Sequence, residues 1–315
     1  MEFGFGTRIY FTYRPRHIMN EKELIKIIKS TLNSKYIGDD CAYLEDLGIV
    51  ITQDSLVEDV HFKMDLITPY QLGYKSVMVN ISDVCASGAE PKYLTISLSL
   101  PNSVDENFVK EFYEGAKNAS DNVHIVGGDI TGSDKIYISV TAIGSTRGRK
   151  ISSRKNAKIG HKIIVSGEHG SSAYGLKLLL NGENKPEKFI KAHLMPVAQK
   201  EFSKQISENI TCDYAMMDTS DGLADALIQI AKASDIILSI DTSKIPHDKS
   251  VDMDTVLYGG EDYQLVATVP DHILKNLNDY TIIGEVREKI TNSGLLIDQR
   301  FYTNIDEKLY NHFKE

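Results

Sequence analysis

At 315 residues, 42% hydrophobic and 25% charged, the chain has ordinary globular composition and enough length to bury a sizeable core without staples. A net charge of −9 and a pI near 5.5 exclude a basic nucleic-acid-binding face, so any phosphate ligand has to be met through metal ions or local cations. The three cysteines, Cys41, Cys85 and Cys212, are scattered with no CxxC spacing, which speaks against a disulfide framework or zinc site and for a reducing cytoplasm; no apolar run approaches ~18 residues, so no membrane span is expected.

The first 18 residues, "MEFGFGTRIYFTYRPRHI", are aromatic and basic but lack an apolar signal-peptide core, and read as an extension with no assigned function. Residues 22–33 follow as a short amphipathic helix with Leu24, Ile27, Ile28 and Leu32 on one face. Strands are expected at 48–52, 93–100 and 135–144. The last two alternate, Leu94, Ile96, Leu98 and Leu100 against Thr95, Ser97 and Ser99, as strands do when one face is buried. Between them, Thr68-Pro69-Tyr70-Gln71 is a capping box with proline at the first helical position. Val77, Ile81, Val84 and Cys85 continue at helical spacing to Gly88 and Pro91, which puts Asp83 on the flank of this helix, one turn after Asn80.

The basic connector "RGRKISSRKNAKIG" (147–160) divides the chain near residue 150 into an N-terminal domain, 1–150, and a C-terminal domain, 151–315. Strands are expected at 162–167, 215–218, 264–269 and 280–286, with a helix opening just after Asp221 on Leu223, Ala226, Leu227, Ile230 and Ala231. The second half therefore reads as α/β with mixed strands.

The distinctive feature is a series of acids set against Gly, Ser, Thr or Asn: "IGDDCAYLED", "TQDSLVEDVHF", "NISDVCASGAEP", "VGGDITGSD", "MDTSDGLADAL" and "YGGEDYQL". Singly, each is ordinary turn or cap chemistry. Collectively, Asp40, Asp54, Asp129 and Asp218 all stand at the edge of an expected strand, where α/β and barrel folds build sites. Two carboxylates ~4 Å apart repel by roughly 4 kcal/mol at an effective dielectric of 20, so several together require cations. Oxygen ligands select hard ions, Mg²⁺ above all, and glycines at 127, 128, 222, 259 and 260 let backbone N–H groups approach an anion. Acids plus glycines point to a nucleotide held through magnesium. Other phosphate motifs fall away. "GSSAYGLK" (170–177) has Leu176 where a P-loop has its lysine, HRD and DFG are absent, and "DMDTV" (252–256) lacks the apolar strand that an aspartyl phosphatase needs before it.

The ordered set "GDDCAYL", "TQDSLVEDVHF", "YKSVMVNISDVCASGAEPKYLTISLSLP", "GGDITGSD", "SRKNAKIGHKIIVSG", "DTSDGLADAL" and "GGEDYQL" resembles the thiamine-monophosphate kinase family, within the superfamily of aminoimidazole ribonucleotide synthetase and selenophosphate synthetase. The resemblance runs from about residue 35 to the C-terminus. It implies an α/β (α+β) fold whose N-terminal mixed-sheet domain pairs into a dimeric β-barrel, followed by a C-terminal α/β domain. It implies a cytoplasmic homodimer that phosphorylates thiamine monophosphate to the diphosphate with ATP and several Mg²⁺ ions, by direct in-line transfer without a phospho-enzyme. No nucleic acid or membrane partner is implied. An aminoimidazole ribonucleotide synthetase-like enzyme and a catalytically silent nucleotide-binding regulator are the alternatives.

Carried over position by position, the resemblance makes Asp40, Thr52, Gln53, Asp54, Asp83, Asp129, Asp218 and Asp221 metal ligands, with Asp83 and Asp218 central to catalysis. Gln53 stands where family members carry Thr or Ser. Gly128, Asp129, Arg154, Ser220 and Tyr113 become ATP contacts, and His61, Glu261 and Phe313 acceptor contacts, with Tyr310 as the other tail aromatic. Asp39 is expected to order its turn, and Asp262 to brace the glycine turn before it.

Overall fold

The computed structural model describes residues 21–309. The expected extension at 1–18 and the tail aromatics Tyr310 and Phe313 lie outside them. Helix α1 (Glu21–Leu32) forms as its periodicity predicts and belongs to a compact unit distinct from the body of the chain, which begins at Tyr36.

In the body, β1 (Ala42–Leu44), β2 (Ile49–Val57), α2 (Pro69–Ala86), β3 (Glu90–Leu100), α3 (Glu106–Ser120), β4 (His124–Gly132) and β5 (Tyr137–Ser145) make up the first half. The second half contains β6 (Lys162–Val165), α4 (Ser171–Leu180), α5 (Glu187–Leu194), α6 (Lys200–Asn209), β7 (Ala215–Asp218), α7 (Leu223–Ser234), β8 (Ile237–Ile240), α8 (Met253–Tyr258), β9 (Leu265–Val269), α9 (Asp271–Leu274), β10 (Thr281–Arg287), β11 (Gly294–Ile297) and β12 (Arg300–Tyr302). Two mixed sheets result, in the orders β1-β2-β5-β3-β4 and β12-β11-β8-β10-β6-β9-β7.

The first sheet is two-faced because its strands alternate. Leu94, Ile96 and Leu98 of β3 and Ile138, Val140 and Ala142 of β5 are buried on the side covered by α2, whereas Thr95, Ser97, Ser139 and Thr141 lie on the other face. In the second sheet, β6, β9 and β7 are buried on both faces and read as short, largely apolar runs, whereas β8 and β10 are only partly buried. In β6, Ile164 joins the core shared with the first sheet while Ile163 and Val165 join a second core under α7; β7 and β9 divide in the same way at Met216 against Met217 and at Leu265 against Val266.

Between these layers runs α2. Its predicted cap is present in full: Gln71 N donates to Thr68 Oγ1 at 3.2 Å, and Thr68 N donates to Gln71 Oε1 at 3.0 Å. The helix packs against β2, β3, β5 and α3 and also against β7, α5 and α6, so polar as well as apolar residues along it are buried. Strands β1, β4, β8, β11 and β12 carry too little local signal to be expected from sequence. β4, "HIVGGDITG", has glycines at three of nine positions and becomes a strand by pairing in parallel with β3 after the α3 crossover. Gly128 is required there: a Cβ would stand 1.7 Å from the Ile96 carbonyl oxygen.

Candidate active site

The tail of α2 is the centre of the site. Ser76, Asn80 and Asp83 recur at i, i+4 and i+7 and so share a face, which meets β2. Asn80 Oδ1 accepts from Asp54 N at 2.9 Å, and Thr52 Oγ1 donates to Asp83 Oδ2 at 2.7 Å. Ser82, on the adjoining face, donates to Asp218 Oδ2 at 2.7 Å at the end of β7. Asp40 enters from the loop before β1. Asp40, Asp83 and Asp218 thus come from three distant segments, and each offers a carboxylate oxygen within 4.8 Å of the others.

At that spacing, unit charges repel by about 3.5 kcal/mol per pair at an effective dielectric of 20, and burial adds to the cost of ionisation. Loss of water raises the Asp83 carboxyl well above the usual range, and the charges of Asp54, Asp218 and Asp40 push the same way. Burial, then Asp40, pushes Asp218 up to about 7. Burial also raises Asp40, against the pull of Arg154. Arg154 is the cation at this cluster. Its Nη2 lies 3.0 Å from Asp40 Oδ1 and its Nη1 donates to Gln229 Oε1 at 2.7 Å, while its buried Nε has no hydrogen-bond partner. An unpaired guanidinium donor beside three crowded carboxylates is a donor set fitted to hard cations together with an anion.

Asp39 does more than order its own turn. It accepts from Ser153 Oγ at 2.8 Å and from Arg154 N at 2.8 Å, tying the basic connector to the Asp40 loop. Across the site, "DTSDG" and "GGEDY" are pressed together. Gly222 adopts φ +101°, where a Cβ would sit 3.1 Å from the Gly259 carbonyl oxygen; at Gly260 it would lie 2.6 Å from that of Ser220. Glu261 N donates to Ser220 O at 2.6 Å, with Glu261 at φ +66° and Tyr263 at φ +50°. Left-handed backbone at two non-glycine residues is strain of the kind that collects at functional sites.

The Glu261 carboxylate meets Lys75 Nζ at 3.0 Å and His193 Nδ1 at 3.3 Å. His61 accepts from Val57 N through Nδ1 at 3.0 Å; burial raises the Glu261 carboxyl, and the Lys75 ammonium more than offsets it, leaving the group lowered. Asp262 has a different task from the expected one. Its oxygens accept from Gly170 N at 2.6 Å and Ser172 N at 2.8 Å, so it caps α4 rather than the 259–260 turn.

Other expected site residues are placed elsewhere. Strand register sets Asp54, Val140, Ile96 and Gly128 in one row and Ser55, Ser139, Ser97 and Asp129 in the next, so Asp129 and Gln53 face away from the α2 side. With Gly128, Thr95 and Tyr137 they line an open groove of about 500 Å³ on the sheet's other face, where Thr141 Oγ1 donates to Gln53 Oε1 at 3.0 Å. Asp221 lies in the loop just past Ser220, exposed, and its charge reaches Tyr263. Tyr113, on α3, is half-buried edge-on to Phe112 with ring centroids 5.5 Å apart. Sequence reasoning passed over Lys75, Ser82, His193 and Gln229.

Residues 38–146 match the AIR synthase related protein, N-terminal domain. The chain is 36% identical to the thiamine-monophosphate kinase of Aquifex aeolicus over 94% of its length and 98% of that protein, and 34% identical to that of Bacillus subtilis over 88% and 93%. Among solved structures, AaThiL complexed with AMPPCP and TMP superposes with a TM-score of 0.85 at 35% identity, covering 96% of this chain and all of that one.

Proposed function

The chain belongs to the thiamine-monophosphate kinase family, and from that premise we propose that it transfers the γ-phosphoryl group of ATP to the phosphate of thiamine monophosphate, giving thiamine diphosphate. The observation that carries the reading is the convergence of Asp40, Asp83 and Asp218 within 4.8 Å, a cluster that ionises fully only around cations. Asp40, Thr52, Asp54, Asp83, Asp218 and Asp221 would hold Mg²⁺. Bound there, magnesium would neutralise the polyphosphate charge and let two anions approach each other. The remaining work belongs to positioning. Arg154, held by Gln229 and Asp40 with Nε free, would meet the ATP phosphates, and Ser220 would fix the nucleotide from the loop pinned by Gly222 and Gly260. Glu261 and His61 would receive the acceptor. The transfer is in line, since phosphoryl transfer depends on alignment and charge and needs no covalent intermediate.

The open face of the first sheet supports a second copy as its cover, in the dimeric barrel that the family resemblance implies. β4 is an edge strand with exposed Val126 and Ile130, and an uncovered edge invites pairing. In that assembly Gln53, Gly128, Asp129 and Tyr113 would serve the nucleotide and its ions. The strands of the first sheet end at Ser145 and those of the second begin at Lys162, which supports domains of 1–150 and 151–315. Free Cys41, Cys85 and Cys212 suit a cytoplasmic enzyme, and no helix among the described residues is long and apolar enough to cross a membrane.

The direct test is incubation with ATP, Mg²⁺ and thiamine monophosphate, followed by chromatography for thiamine diphosphate. ATP binding without diphosphate formation under any divalent metal would move the chain to the silent, regulatory class.

A further inference from the structure

Lys75 is among the largest fully buried side chains of the protein, at 1% exposure, although a lysine carried into the interior loses hydration worth several kcal/mol unless paired. Its partner is Glu261, 3.0 Å away. The other Glu261 oxygen is 3.3 Å from His193 Nδ1, which is in turn 3.1 Å from Ser172 Oγ. Burial, with Lys75 beside it, lowers His193 to about 4, which leaves the ring neutral. The charges in this cluster therefore balance one to one, Lys75 against Glu261.

Glu261 is consequently fixed at three points: its backbone N–H on Ser220 O, one oxygen on Lys75 of α2, and the other on His193 of α5. Its side chain keeps 27% exposure. Lys75 also lies seven residues before Ser82, which holds Asp218, so α2 sets a span of about 10 Å between the two anchor points.

We infer that Lys75 is a positioning residue for the acceptor: its ammonium fixes the Glu261 carboxylate in place and acts on substrate only through it. The inference rests on the reading of Glu261 as an acceptor-binding residue. Lys75 carries no proton to or from the reacting phosphates.

The test is a double-mutant cycle on the full chain, with KM measured separately for thiamine monophosphate and ATP. Glu261→Gln and Lys75→Met should each raise the thiamine monophosphate KM about tenfold with the ATP KM unmoved, and the double variant should be no worse than the weaker single. Lys75→Arg, which keeps the charge, should recover part of the loss. Multiplying effects in the double variant, or a Lys75→Met protein that is less heat-stable with unchanged KM, would overturn the inference while sparing the Glu261 reading. An unchanged KM in Glu261→Gln would remove that reading and this inference with it. Should Lys75→Met alone fail to fold, the double variant, with both charges gone, is compared with Glu261→Gln: equal KM values support the inference, and a further rise overturns it.

Discussion

Two groups of withdrawn carboxylates lie along one helix, and they are built on opposite plans. At the C-terminal end of α2, Asp40, Asp83 and Asp218 crowd together with Arg154 as their cation. Two turns earlier, Glu261 has its own counter-charge in Lys75 and a neutral neighbour in His193. The pKa directions record the difference: burial and mutual repulsion raise Asp83 and Asp218, whereas at Glu261 the Lys75 ammonium outweighs burial and lowers the carboxyl. The first group is left for cations to complete. The second is complete as folded, and so can act as a fixed surface for a ligand.

The strongest break in this comparison is at the first group. Asp83→Ala and Asp218→Ala should each lower kcat by roughly three orders of magnitude, in line with the loss of one essential charge-stabilising element. Folding should survive, because each removes a like-charged neighbour; circular dichroism and a thermal melt check this. Instability in either variant would assign the residue to the fold instead.

The next contrast is in pH. Asp218 has a folded value of about 7 against 3.8, so its stability contribution is complete below about 4 and lost as pH rises through 7. His193 runs the other way. With a folded value near 4 against 6.5, its contribution is complete above 6.5 and lost as pH falls towards 4. Asp218 should therefore take stability out of the metal-free protein between pH 5 and 8, and His193 should add some back over the same interval. Mg²⁺ should restore more at pH 8 than at pH 5, and Asp218→Asn should flatten the metal-free profile on the alkaline side. An Asp218→Asn profile no flatter than the parent's on the alkaline side would mean that the cluster is not strained.

How far these groups could be read from sequence depends on what each needs. The acids of the first group are conspicuous because glycine, serine and threonine surround them, and the Thr68 box fixes the helix that bears Asp83. The second group left little trace. Lys75 reads as a surface lysine until α2 is found covered on all sides, and His193 reaches Glu261 only through the packing of α5. Asp129 and Gln53 show the opposite failure. Their motifs were visible, but which face of the sheet each takes depends on register across β2, β5, β3 and β4, and β4 itself is too rich in glycine to signal a strand. Asp262 reads from sequence as a brace for its neighbour because α4, which it caps, comes about ninety residues earlier.

The tie between Asp39 and the connector allows a milder test. Asp39→Ala removes acceptors for Ser153 Oγ and Arg154 N while leaving the Asp40–Arg154 pair in place. If Arg154 serves the nucleotide as proposed, the ATP KM should rise about tenfold, or 1.4 kcal/mol, with the thiamine monophosphate KM unchanged. Equal rises in both values would mean that the connector serves the whole cleft.

The smallest expected effect is at the start of α2, outside both groups. Thr68→Ala deletes a side-chain acceptor from the capping box and should cost about 1 kcal/mol, read as a fall of roughly 2–4 °C in Tm. Because the box lies at the far end of the helix from Asp83, kcat should stay within about twofold of the parent, and this variant calibrates the others. If instead Thr68→Ala lowers kcat as much as it lowers stability, the helix does not hold its register from the cap alone. The spacing that Lys75 and Ser82 impose would then depend on how well the first turn is pinned, and the two carboxylate groups would be coupled rather than independent.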